Sequence, residues 1–113
     1  MTNNNQPICK MNEYGTKRWT LNGQYHREDG PALEYSNGRK EWYLNDRLHR
    51  EDGPAIEWAD GSKTWYLHGQ LHRPDGPAFE DIDGFKSWYL HGEWINVDSQ
   101  EEFERLIKLK ALW

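Results

Sequence analysis

Cysteine is all but missing. Cys9 is the single one in 113 residues, so no internal disulfide can form and the chain fits a reducing compartment. Long apolar runs are missing as well; none reaches half the length of a membrane span. Positive charge is in deficit. A net charge of −5 withholds the basic surface that general binding to nucleic acid or to an anionic membrane requires, and it leaves a basic protein partner open. The opening MTNNNQPICK lacks a charged-then-apolar signal pattern, so a soluble, cytoplasmic protein is expected. Aliphatic bulk is scarce too, with 35% hydrophobic residues. Seven tryptophans and six tyrosines offset this, since each aromatic ring can bury roughly 150–250 Å2.

What the chain does have is one stretch written three times: WTLNGQYHREDGPALE from Trp19, WYLNDRLHREDGPAIE from Trp42 and WYLHGQLHRPDGPAFE from Trp65. A fourth copy starts at Trp88 and breaks off. Tryptophans at 19, 42, 65 and 88 set a period of 23 residues without slip. So short and regular a period predicts one supersecondary unit stacked on copies of itself. The expected fold is all-β: an elongated stack of four hairpin repeats, the first degenerate, forming a single-layer antiparallel meander with a C-terminal α-helical cap. Its expected parts are a tail and degenerate capping strand over 1–13, hairpin repeats over 14–97 and an amphipathic helix over 98–113.

Asn37-Gly38, Asp60-Gly61 and Asp83-Gly84 read as two-residue hairpin turns, because these pairs accept positive φ at little cost. That register pairs Ile56 with Trp65 and Trp58 with Lys63. It places Leu33, Tyr35, Trp42, Leu44, Ile56, Trp58, Trp65, Leu67, Phe79, Trp88 and Leu90 on one core face. The opposite face then carries Tyr43, Tyr66 and Tyr89 with Glu34, Glu57 and Glu80. Lys40 and Lys63 would lie opposite Tyr35 and Trp58, and Glu34 would face Glu41 as a like-charge pair. From Asn22-Gly23, Asn45-Asp46 and His68-Gly69, connectors run to an Asp-Gly-Pro turn whose glycine supplies an unusual φ. Near the end, Ser99 and Glu102 are spaced as a capping box. Phe103, Leu106 and Ile107 follow at helical spacing, predicting a helix from Ser99 to Leu112.

The unit resembles the MORN repeat. Gly61, Trp65, Gly69 and His72 keep that family's spacing, as do Gly38, Trp42 and His49, with Asp46 in place of a glycine. Where the family has glycine after the histidine, this chain has Arg27, Arg50 and Arg73 and then adds Asp-Gly-Pro-Ala. The resemblance covers roughly residues 14–97. The HREDGPA form with a closing helix is similar to short repeat proteins of large bacteriophages and giant viruses. MORN repeats imply an interaction scaffold, sometimes dimeric or lipid-associated; the arginines and the acidic charge argue against lipid. The viral likeness implies a host protein as partner, a host-cytoplasmic location and an anti-defence role.

Two functions compete. The first is a non-enzymatic protein-interaction module using Tyr43, Tyr66, Tyr89, Glu34, Glu57 and Glu80, with Trp94 and Trp113 as anchors for a partner or a homodimer. Tyrosine suits interfaces. The second is sequestration of an anionic nucleotide by the rows His26, His49, His72 and Arg27, Arg50, Arg73, since arginine offers a forked donor. Against the second, residues needed at every repeat are more simply structural joints, with Arg50 on a carboxylate such as Asp52 and His49 on backbone groups. No metal, cofactor or catalytic residue is read. His68 and His72 lie around a turn, no Cys or His group has zinc spacing, and Cys9 has no base beside it.

Overall fold

Two kinds of turn build the chain, and they alternate. The computed structural model describes residues 5–111; the expected anchor Trp113 and the expected helix end at Leu112 lie outside them. The first turn has three loop residues. Gly38 donates its amide to the Tyr35 carbonyl (3.0 Å) and Tyr35 donates to the Arg39 carbonyl (2.9 Å). Asn37 keeps an ordinary φ, and only Gly38 is left-handed, at 99°. This is a type I turn with a glycine bulge, not the two-residue turn expected, which needs positive φ at both residues. Trp58 and Ser62 close the same loop around Asp60-Gly61, and Asp81 and Phe85 around Asp83-Gly84. The second turn is the two-residue kind. Both residues are left-handed at Asn22-Gly23, Asn45-Asp46, His68-Gly69 and His91-Gly92, where connectors were expected to begin.

One extra loop residue moves the register by one, and a one-residue slip sends side chains to the other face. Ile56 therefore pairs with Thr64 and Glu57 with Lys63. Leu33 pairs with Glu41 and Glu34 with Lys40. The expected Ile56–Trp65 and Trp58–Lys63 pairings are corrected, and so is the Glu34–Glu41 pair. Each glutamate of the row Glu34, Glu57, Glu80 meets a lysine instead, a favourable cross-strand arrangement.

The strands are short because turns come so often. β1 (Ile8–Met11), β2 (Lys17–Leu21) and β3 (Gln24–Tyr25) open the chain. β4 (Leu33–Glu34), β5 (Lys40–Glu41), β6 (Tyr43–Leu44) and β7 (Arg47–Leu48) follow. β8 (Ile56–Glu57), β9 (Lys63–Thr64), β10 (Tyr66–Leu67) and β11 (Gln70–Leu71) repeat that set. β12 (Phe79–Glu80), β13 (Lys86–Leu90) and β14 (Glu93–Ile95) precede α1 (Gln100–Ala111). One open antiparallel sheet runs in the order β1-β2-β4-β5-β8-β9-β12-β13-β14 with β3 on β2, while β6–β7 and β10–β11 are two-stranded flaps. The molecule measures 54 × 33 × 17 Å with a radius of gyration of 16.5 Å. A compact chain of this length would have a radius near ~13 Å.

So thin a slab buries little. Its apolar interior is Ala32, Leu33, Ala55, Ile56, Ala78, Trp88 and Phe103. The single core face expected for Ile56, Trp58, Trp65 and Leu67 is split in two. Ile56 and Trp58 lie with Tyr43, Tyr66 and Tyr89 on what we term the aromatic face. Trp42, Trp65, Leu44 and Leu67 lie with Glu34, Glu57 and Glu80 on the arginine face. Helix α1 begins after Ser99, whose hydroxyl accepts the Glu102 amide (3.2 Å) while Glu102 reaches back to the Asp98 amide (3.0 Å). This is the expected capping box with the carboxylate set one residue further back.

Candidate functional site

The His-Arg-x-Asp-Gly-Pro-Ala signature resolves residue by residue into a joint on the arginine face. The Arg50 guanidinium lies 3.9 Å above the centre of the Trp42 ring. Its Nε donates to Asp52 (3.1 Å), and its Nη1 donates to the Pro54 carbonyl (3.1 Å) and to Glu57 (2.9 Å). Arg27 on Trp19 and Arg73 on Trp65 repeat the stack, also at 3.9 Å. Arg27 holds the same three partners. Arg73 holds Asp75 and Pro77 by hydrogen bonds and Glu80 at 3.8 Å. The hydrogen bond and charge of Arg27 hold the Asp29 carboxyl below its ordinary range.

The glycine of this motif has a different purpose from the one expected. Gly30, Gly53 and Gly76 do not have left-handed φ. A Cβ on Gly53 would come within 2.8 Å of Arg50 Cζ, so the residue is small to let the guanidinium lie flat against the loop. The alanines Ala32, Ala55 and Ala78 are fully enclosed.

Histidine links one repeat to the next. His26, His49 and His72 each accept, at Nδ1, the amide of the first residue of the following turn: Asn45 (3.0 Å), His68 (2.9 Å) and His91 (2.9 Å). The rings of His49 and His68 lie 4.4 Å apart, as do those of His72 and His91. Burial first, and the facing histidine second, lower the pKa of His49 and of His72 from the ordinary 6.5. An imidazolium has no acceptor to offer the amide. With folded pKa values below the unfolded value, this stability is complete above pH ~6.5 and is lost as pH falls through the folded values. Thermal midpoints should hold level from pH 8 to 7 and decline below ~6.5, before the carboxylates titrate. In a H49N/H72N variant, where an amide oxygen stands in as acceptor, that decline should be absent. An equal decline in the variant would place the acid sensitivity elsewhere.

The proposed ligand rows, His26, His49, His72 and Arg27, Arg50, Arg73, are thus engaged within the chain. Between successive loops lie two open grooves of about 680 and 620 Å3, floored by Trp42 and Trp65. Among the described residues no group of His, Cys, Asp or Glu is placed to hold a metal, and no helix is long and apolar enough to cross a membrane.

The aromatic face is built differently. Arg39 lies 4.3 Å above Trp58 and 5.4 Å from Tyr35, and its Nη2 pairs with the buried Glu41. Tyr43 donates its hydroxyl to the same carboxylate (2.9 Å), and burial, followed by that bond, raises the Tyr43 pKa. Lys40 and Lys63 were expected opposite Tyr35 and Trp58; the register puts Arg39 on both rings instead. Trp58 donates its indole N–H to Thr64 (2.9 Å). Beyond Thr64 opens a groove of about 440 Å3 lined by Trp58, Tyr66, Leu71, Phe79, Phe85, Tyr89 and Trp94. Phe85 and Trp94 are 59% and 60% exposed.

The chain matches no protein-family model, no curated protein and no solved structure.

Of the expected protein-binding residues, Tyr66, Tyr89 and Trp94 meet at this groove. Tyr43 shares their face, while Glu34, Glu57 and Glu80 are on the other. Sequence reasoning did not select Trp58, Leu71, Phe79 or Phe85 as binding residues. The signal that finds them is the break in the repeat. At a spacing of 23, the arginine face reads Trp-Trp-Trp-Trp from Trp19, Arg-Arg-Arg from Arg27 and Lys-Lys-Lys-Lys from Lys17. The aromatic face reads Thr16-Arg39-Ser62-Phe85 and Arg18-Glu41-Thr64-Ser87.

Proposed function

We propose that the protein is a non-enzymatic interaction module that docks a protein partner through its aromatic face. The observation that carries this reading is the contrast between the two faces. A side chain repeated at every joint answers a need of every joint, and the Trp–Arg–Asp–Glu set accounts for each member by a contact inside the chain. Among the positions that change from repeat to repeat are Phe85 and Trp94 on the aromatic face, two exposed rings at its groove. Large aromatic side chains clustered at an exposed groove are the usual anchors of protein interfaces. The MORN-like spacing supports an interaction scaffold, and the viral likeness makes a host protein, such as a defence factor, the partner class.

The reading is tested with a tagged F85S/W94S variant recovered from its natural host and weighed by native mass spectrometry. Both residues are more than half exposed, so folding should persist with a thermal midpoint within a few degrees of the parent. A stoichiometric host protein should accompany the parent and be missing from the variant. A partner retained by the variant would remove the groove from the interface. A parent carrying only a small extra mass would favour the anionic-ligand alternative.

A further inference from the structure

The opposite end of the aromatic face holds an anomaly. Lys10 and Arg18 stand directly opposite each other on β1 and β2. Like charges so placed are destabilising. Lys10 occupies the repeat position held by Leu33, Ile56 and Phe79, and Arg18 the position held by Glu41, Thr64 and Ser87. Both are exposed, and among the described residues no ion pair involves either. Most other cations of the repeats have a carboxylate across the strand or at the side chain, Arg47 on β7, opposite Leu44, being an exception. Lys17, Lys40, Lys63 and Lys86 each lie opposite a glutamate. Arg27, Arg39, Arg50 and Arg73 each hold a carboxylate. In a chain of net charge −5, two adjacent cations left without a carboxylate form a site for an anion supplied from outside.

We infer that the partner segment docked by this face is acidic at one end and aromatic or leucine-bearing at the other, with its acids on Lys10 and Arg18. This rests on the docking reading above and adds the chemistry of the occupant. The spacing follows from the sheet. Arg18 pairs across to Leu33, Leu33 to Glu41, Glu41 to Ile56, Ile56 to Thr64 and Thr64 to Phe79, so one row crosses the face from the cations to the groove. At roughly 4.8 Å per strand, the near wall at Trp58, on the strand line of Ile56, is about 14 Å away. The far wall at Trp94 on β14, two strands beyond Phe79, is about 34 Å away by the same spacing. An extended segment covers that span in about four to ten residues at ~3.3 Å each.

The test pans a phage-displayed random 16-mer library on the immobilised full chain. The expected selection is a pair of Asp or Glu residues separated by about four to ten positions from Trp, Phe or Leu. A synthetic peptide of that sequence should bind the parent, weaken with salt, and lose at least ~10-fold in affinity to K10E and to K10L, a loss equivalent to about 1.4 kcal/mol. Both variants should be as stable as the parent or more so, because K10E gives Arg18 an opposite charge and K10L restores the apolar residue of the other repeats. A loss of binding with stability intact is therefore not misfolding. Selected peptides without acids that still need Phe85 and Trp94 would overturn this inference and keep the docking reading. Peptides indifferent to all these residues would overturn both. A fluorescein-labelled oligo-dT 20-mer bound as tightly as the peptide, and released by K10E, would assign the cations to nucleic acid and overturn the inference.

Discussion

Replacing Phe103 with alanine should come close to unfolding the protein. Among the described residues Phe103 is the one large side chain with no exposed surface. It packs on Trp88 with ring centres 6.4 Å apart, and Trp88 itself is 4% exposed and donates its indole N–H to Gln100 (2.9 Å). At the three earlier tryptophans an arginine covers the ring; at Trp88 the corresponding position is Asn96, and the helix supplies the cover instead. Truncating a buried phenylalanine costs about 3–5 kcal/mol, against a total stability of roughly 5–15 kcal/mol for ordinary domains. The midpoint of thermal melting should fall by roughly 10–20 °C, and tryptophan emission should shift to the red as Trp88 meets water. A fall of only a few degrees would mean that the sheet end stands without its helix.

The second large effect is expected at the Arg50 joint, and it has an internal check. Arg50→Ala removes the stack on Trp42 and three hydrogen bonds. Stacking and charge-assisted bonds of this kind together contribute about 2–3 kcal/mol. Arg50→Lys should lose most of that, since an ammonium keeps the charge but not the planar fork. Gly53→Ala should cost about 1–2 kcal/mol, because its methyl group displaces the guanidinium. In the Arg50→Ala background the same glycine change should cost almost nothing, so urea melts of the four proteins should show strong coupling. Equal and additive losses would show that Gly53 is required for its own backbone and not for the arginine.

Much of the architecture is legible without coordinates. The period, the capping box at Ser99 and the capping strand within residues 1–13, which is β1, follow from spacing and from residues that tolerate few alternatives. Register is not legible, and the reason is local. Ser36-Asn37-Gly38 contains an Asn-Gly pair that suits a two-residue turn as well as the three-residue loop it forms. Nothing in the triplet decides between them. That single ambiguity exchanged the faces of the later strand and sent Glu57 and Tyr66 to opposite sides of the sheet. Arginine over tryptophan is hidden for another reason. Eight positions separate Trp19 from Arg27, and the β2–β3 hairpin that folds the one back beside the other turns at Asn22-Gly23, where a connector was expected to begin. The histidine and arginine positions recur every 23 residues and so are legible as rows. Their chemistry was invisible because the acceptors, the Pro54 carbonyl and the His68 amide among them, are backbone atoms that any sequence possesses.

A sheet only 17 Å through has no interior that grows with its size. Each further hairpin pair would bring its own tryptophan, its own arginine and its own histidine link, and would ask nothing of repeats beyond its neighbours. Length here is arithmetic: 23 more residues would add about 10 Å at two strands per unit and leave every existing joint as it was. The molecule is in that sense a ruler, and the separation between its two ends is set by counting repeats.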